Sequence, residues 1–201
     1  MDSRTPIFYY DLASPECYLA AERVSFILEL TPVWEPVIGR WEEGGHREAD
    51  GAQTQGFGLL LGPDPDRSAT ERIARERGLQ AMRWPLHWPP DSEPAMRVAA
   101  YAKSIGRVTA FSLAAFRQTF AAGRDLSDLD TILIAAAACE MHPAAVTKAV
   151  GLRPVARALE QASERAMASG VRRLPALRID GLVFEGDGGL DEAGAALAAR
   201  A

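Results

Sequence analysis

Cysteine is scarce in this chain: among 201 residues only Cys17 and Cys139 occur. That excludes a disulfide-stapled scaffold and suits a reducing compartment. Long apolar runs are also missing. No uninterrupted stretch reaches the roughly 18 residues that a membrane span needs, and the opening MDSRTPIFYY has no basic segment followed by a long apolar one. The expectation is a cytoplasmic protein. Positive charge is not in excess either. A formal net charge of −5 gives no broad attraction to phosphate backbones or anionic bilayers, which argues against nucleic-acid and membrane partners and for a small-molecule substrate. Of the three histidines, none falls in a recognisable Ser/His/Asp order, so there is no serine-hydrolase signature. Cys139 and His142 form a lone Cys-x-x-His pair. A structural zinc site generally needs four ligands, so no metal is expected.

What is present is 48% hydrophobic residues, enough in a chain of this length to bury a sizeable core. The patterning divides into three regions. Ile7 to Tyr10 is a short β-rich run, and after Ser14 the residues Ala20, Val24, Ile27 and Leu28 recur at helical spacing. PVWEPVIG then reads as a second strand ending near Gly39, which makes a βαβ unit with parallel strands. Gly39 to Asp66 is rich in glycine and charge and long for a plain connection: either a binding loop or a surface excursion. Its GFGLLLG lacks the preceding strand and following helix that a phosphate site requires.

Ser68 to Gly170 reads as almost entirely helical. Ser68 with Glu71, and Ser127 with Asp130, are spaced as capping boxes. Gly78, Gly106, Gly123, Gly151 and Gly170 fall where helices should stop, and Pro143 and Pro154 where they should start. LPALRIDGLVFEG then reads as two strands around an Asp-Gly turn, followed by an alanine-rich helix from about Leu190. The order βαβ, helical block, ββα predicts an α/β thioredoxin-like fold with a large all-helical insertion. Residues 1–39 and 170–201 would form the thioredoxin-like domain, and 40–169 the loop plus helical insertion domain.

The segment DLASPECYL places Ser14 at or just before the N-cap of the first helix and Pro15 at its first position, where a missing N–H costs nothing. Such a helix start suits a thiolate or another anion, and Ser-Pro is also simply a good way to begin a helix. Taken with GVRRLPALRIDG, the segment resembles the DsbA-like branch of the thioredoxin superfamily, in which Cys-Pro-x-Cys opens the first helix and a cis-proline faces it. RWPLHWPPDSEPAMRVAAYA and FRQTFAAGRDLSDLD look like the insertion of one subgroup, so the resemblance covers essentially the whole chain. That subgroup is 2-hydroxychromene-2-carboxylate isomerase together with the kappa-class glutathione transferases, which carry serine in place of the first cysteine.

The resemblance implies glutathione as cofactor, with Ser14 and Cys17 at the catalytic positions and Pro15, Leu174, Pro175, Asp187 and Gly188 at the cofactor-binding ones. Ser14 would donate a hydrogen bond to the glutathione sulfur. The backbone of Leu174, before a cis Pro175, would pair with the tripeptide as a strand does. Where the subgroup has a Trp-Gly-x-Asp-Arg-like segment for the γ-glutamyl end, this chain reads FEGDGGLDE, with Gly188 and Gly189 in the Asp and Arg places and Asp187 displaced by one. A homodimer is among the assemblies the resemblance allows.

Three functions follow from these residues: a glutathione-dependent isomerase or transferase for a small conjugated or aromatic electrophile, a DsbA-type thiol–disulfide oxidoreductase, or a non-catalytic binding module. A serine hydroxyl cannot replace an attacking thiolate, which favours the first over the second. Cys17 is either a lone reactive thiol or a small buried apolar residue, and Glu16 beside it opposes thiolate formation. Arg172 and Arg173 either recruit an anion or lie exposed. Trp84, Pro85, His87 and Trp88 are either packing between helices or one wall of a substrate pocket.

Overall fold

The computed structural model describes residues 5–28, 31–42 and 58–199. His46 and most of the Gly-x-Gly stretch lie outside them. Strand β1 (Ile7–Tyr10) leads into α1 (Pro15–Ala21), α2 (Val24–Leu28), β2 (Val33–Pro36) and the short β3 (Gly39–Arg40) and β4 (Leu59–Leu60). Six helices follow: α3 (Arg67–Glu76), α4 (Glu93–Ser104), α5 (Val108–Phe120), α6 (Leu129–Ala137), α7 (Pro143–Gly151) and α8 (Arg153–Ala168). The chain returns to the sheet as β5 (Ala176–Ile179) and β6 (Leu182–Glu185) and ends in α9 (Gly186–Ala198). Among the described residues no helix is long and apolar enough to cross a membrane.

The main sheet has the order β2-β1-β5-β6. β1 runs parallel to β2, with Ile7 opposite Val33, and antiparallel to β5, with Tyr9 opposite Ala176. The hairpin of β5 and β6 closes through Asp180 and Gly181, both at positive φ, as an Asp-Gly two-residue turn requires. Phe8 and Tyr10, alternate residues of β1, point to one face and pack against Trp34 at ring distances of 5.0 and 5.4 Å. Tyr10 also meets Phe116 of α5 and shares a 2.6 Å hydrogen bond with Ser112, so the sheet and the helical block share one buried cluster.

Several helix boundaries differ from the sequence reading, each for a local reason. α3 is capped by Asp66, which accepts from the Ala69 amide, and Glu71 accepts instead from the Trp84 indole. α6 is capped by Asp128, because the Ser127 amide and hydroxyl are both held by Asp125. The first helix breaks into α1 and α2 at a tight turn where the Arg23 amide donates to Ala20. Gly151 lies inside α7, and Leu152 joins that helix directly to α8. α9 begins at Gly186, one turn before Leu190. Its start is held by Gly186 N–H donating to the Pro175 carbonyl and Asp187 N–H donating to the Glu16 carboxylate.

The end of β1 is fixed by Asp11, a carboxylate with 1% of its surface exposed. It accepts from the Ala13 amide (2.9 Å), the Gly39 amide (2.9 Å) and the Ser92 hydroxyl (2.6 Å). Gly39 must be glycine at this junction. An added methyl would overlap the Leu61 side chain and lie 3.2 Å from that of Leu174. Burial pushes the Asp11 carboxyl above its ordinary value, against the three hydrogen bonds that pull it down. A carboxyl that binds its proton more tightly when folded loses that stabilisation as pH rises through its folded value. The stability of the protein relative to Asp11→Asn, which does not titrate, should therefore fall as pH rises through the range above the ordinary carboxylate value of about 4. Urea unfolding of both proteins across that range measures it, and a pH-independent difference would refute the assignment.

Candidate functional site

A cleft of about 290 Å³ opens beside the start of α1. Ser14, Pro15, Glu16 and Leu19 bound it on one side, Trp41 and Leu61 on another, and Asp64, Asp66 and Ile73 on the α3 side. Arg173 and Asp187 complete the wall. The segment between Gly39 and Asp66 therefore supplies cleft residues from both of its described ends.

Ser14 caps α1: its Oγ accepts from the Cys17 amide at 3.1 Å, and its own amide donates to the Asp11 carbonyl at 3.2 Å. Among the described residues nothing accepts its hydroxyl proton. The residue forms the floor of the cleft and has no exposed surface of its own. Pro15 follows at the first helical position, where no amide donor is lost. Cys17 is fully buried one turn further in, and burial pushes its thiol well above the ordinary range, with Asp11 and Glu16 adding to the rise. Of the two readings of Cys17, the small buried residue is the one the structure supports.

The Leu174–Pro175 peptide bond is cis. With Tyr9 opposite Ala176, the antiparallel register carries this bond to the same end of the sheet as Asp11. The backbone of Leu174, which the resemblance assigns to a bound tripeptide, already has its amide engaged. It donates to the Leu60 carbonyl at 2.8 Å, and the Leu60 amide donates to the Arg172 carbonyl at 2.8 Å. Leu174 is buried, and neither it nor Pro175 is among the residues bounding the cleft. The Leu174 amide thus pairs with the chain's own β4.

Asp187 bounds the cleft, but its carboxylate faces a bidentate Arg77 and lies 3.4 Å from Arg23 Nε. Arg23 reaches on to Asp191 at 2.6 Å. Asp187 therefore ties α3 to α9 and to the turn after α1. Gly188 is not among the bounding residues, and an added methyl there would meet only open space. Neither it nor Gly189, which packs against the Phe184 backbone, offers a side chain to a γ-glutamyl group.

Three cleft residues stand outside the catalytic and cofactor-binding positions expected from the sequence: Glu16, Trp41 and Arg173, the last left open between an anion-recruiting and an exposed arginine. Glu16 spans the cleft edge, accepting from the Asp187 amide at 3.0 Å and from Arg173 Nη2 at 3.1 Å. Arg173 is part of the wall and lies over Gly62, while its Nε is buried without a hydrogen-bond partner among the described residues. Arg172 is the exposed one of the pair. Trp41 supplies an aromatic side of the cleft and meets Trp88 at a tilt with ring centroids 5.3 Å apart, and Trp88 contacts Trp84 at 5.1 Å. Trp84 and Trp88 themselves stand behind the wall, where the Arg67 guanidinium lies 4.9 and 5.5 Å from their rings. They are packing rather than lining. Cys139 donates to the Ala135 carbonyl, and His142 caps α7.

No family model matches the chain, and neither does any curated protein. Solved structures do match. 2-Hydroxychromene-2-carboxylate isomerase superposes with a TM-score of 0.76 at 13% identity, over 98% of this chain and 95% of its own. A probable DsbA oxidoreductase from Streptomyces coelicolor gives 0.69 at 19% identity, over 97% and 88%. The cytosolic disulfide reductase DsbM from Pseudomonas aeruginosa gives 0.62 at 15% identity over 98% of both chains, and its structure with GSH also matches. At such identities the likeness is one of fold: this chain has the DsbA-like thioredoxin fold.

A thiol that is buried and held protonated should be inert in the native state. Iodoacetamide at pH 8 should leave Cys17 unmodified under native conditions and alkylate it promptly in denaturant, as read by peptide mass. Native labelling of Cys17 at the denatured rate would show that the thiol is open to the cleft.

Proposed function

We propose that the protein is a thioredoxin-fold enzyme of the isomerase or transferase kind, which holds a small carboxylate-bearing thiol such as glutathione in the cleft above Ser14 and acts on a conjugated or aromatic electrophile. One observation carries this reading. Ser14 and Cys17 are equally buried, but Ser14 is among the residues bounding the cleft, with a hydroxyl proton that nothing accepts among the described residues, and Cys17, the thiol nearest to it in the chain, is not. Thiol–disulfide exchange lacks its nucleophile at this place.

The donor set suits such a ligand in part. The Ser14 hydroxyl would be a donor for a thiolate, and the buried Arg173 Nε, which has no partner among the described residues, would be a donor for a carboxylate once the cleft opens to it. Trp41, Leu61 and Ile73 give an apolar side for an aromatic substrate. Leu174, Gly188 and Gly189 take no part. Because Ser14 is covered, the cleft must open toward it for the hydroxyl to meet a ligand. A bound thiol supplies a nucleophilic sulfur that can add to an electron-poor double bond and leave again, or stay attached. The protein's share is to stabilise the charged sulfur through Ser14, to orient the carboxylate through Arg173 and to shield the pair from water. The two cysteines are unpaired and buried, in keeping with a cytoplasmic location.

Ser14→Ala should leave the fold and most of the thiol affinity intact, with the lost helix cap costing about 1 kcal/mol of stability. A hydrogen bond to an ionised group is worth roughly 1.5–3 kcal/mol, so the pKa of the bound thiol should rise by about one to two units. Thiolate absorbance against pH, in a background with both cysteines replaced, measures the shift. An unchanged pKa would reduce Ser14 to a cap. The protein should also fail to oxidise a reduced, unfolded dithiol substrate above the uncatalysed rate. Turnover that survives Ser14→Ala and disappears in Cys17→Ala would replace this reading with a one-thiol oxidoreductase.

A further inference from the structure

The segment before Pro175 is part of a small three-stranded patch. β3 pairs in parallel with β4, Gly39 opposite Leu59 and Arg40 opposite Leu60. On its other side β4 bridges to Arg173, through the Leu60 amide to the Arg172 carbonyl and the Leu174 amide to the Leu60 carbonyl. The patch continues past β4, with the Leu61 amide donating to the Arg40 carbonyl at 2.8 Å and the Glu42 amide to the Gly62 carbonyl at 3.0 Å. Leu59 and Leu174 have no exposed surface and Leu61 has 3%. β4 is therefore the central strand of the patch. Removing it would break its main-chain bonds on both sides and bring two buried leucines into water.

We infer that β4 closes the backbone-pairing edge beside Pro175, so that whatever ligand the cleft takes is held by side chains and gains nothing from a peptide backbone. Leu60 is in this sense the specificity-determining position. Where a ligand strand would add to the edge, main-chain atoms of β4 already occupy the Leu174 amide and the Arg172 carbonyl. Joined to the thiol reading proposed above, on which this part rests, the inference names the cofactor class: low-molecular-weight thiols with a carboxylate, the tripeptide having no advantage over a thiol without peptide bonds.

Amide hydrogen exchange of the intact protein, followed by NMR at Leu60 and Leu174, tests the closed edge alone and with glutathione or 3-mercaptopropionate. Both amides should be strongly protected in the protein alone and unchanged by either thiol. Titration should give dissociation constants for the two thiols within about threefold of each other, less than one extra peptide hydrogen bond would separate. A Leu174 amide that exchanges like an exposed loop, or one that glutathione alone slows, overturns the inference. So does glutathione binding more than about tenfold tighter than the simple thiol. If neither thiol binds while both amides stay protected, the thiol reading fails and the closed edge stands.

Discussion

Most of the geometry around the cleft hangs on one buried carboxylate. Asp11 gathers donors from three places: the Ala13 amide just before α1, the Gly39 amide at the start of β3 and the Ser92 hydroxyl at the start of α4. An isolated charge at such a depth would be costly, and three good donors make it tolerable. In return, the end of β1, the strand patch and the helical block are pinned to a single point. Ser14 then inherits its place, because its amide donates to the Asp11 carbonyl. Gly39 inherits its close fit against Leu61 and Leu174.

The wall of the cleft is held differently from its floor. The floor is main-chain hydrogen bonding and buried apolar contact, whereas the wall is a chain of ion pairs running from Arg173 through Glu16 to the start of α9, and from Asp187 to Arg77 and Arg23. Asp187 and Arg77 expose only 18% and 24% of their side chains, so their two-pronged contact is screened less than an ordinary surface pair. That contact fixes α3 against α9 across the cleft. Arg67, at the other end of α3, is held by the Trp84 and Trp88 rings. A helix with few buried residues of its own is thus kept in position at both ends by its arginines.

The chain order of βαβ, helical block and ββα, the Asp-Gly hairpin and the serine at the head of α1 were legible in the sequence, because each rests on short-range chemistry that a few adjacent residues express. Caps were harder to read. Asp66 competes with Ser68 and Asp128 with Ser127 for the same role, and the outcome turns on Trp84 donating to Glu71 and on Asp125 accepting from Ser127. The early start of α9 was hidden because a Gly-rich opening is a poor helix former alone, and the carboxylate that holds it comes from Glu16, far away in the chain. Nothing in the sequence separated Arg173 from Arg172 as an anion-recruiting or an exposed arginine, because the residues that receive Arg173, Gly62 and Glu16, lie far from it in the chain. Asp11 carried no motif at all.

The pairing of Leu60 with residues 172–174 has one more consequence, for how such proteins diverge. Both of its hydrogen bonds join main-chain atoms, so no particular side chain is required to maintain them. Residue 60 can drift among many amino acids with the bonds unaltered, proline alone lacking the amide that one of them needs. A trait written in the backbone in this way leaves almost no trace in the identity of the residues that confer it. Two relatives could share every side chain around Ser14 and still differ in what they admit, through nothing more than the path of the strand laid beside Pro175.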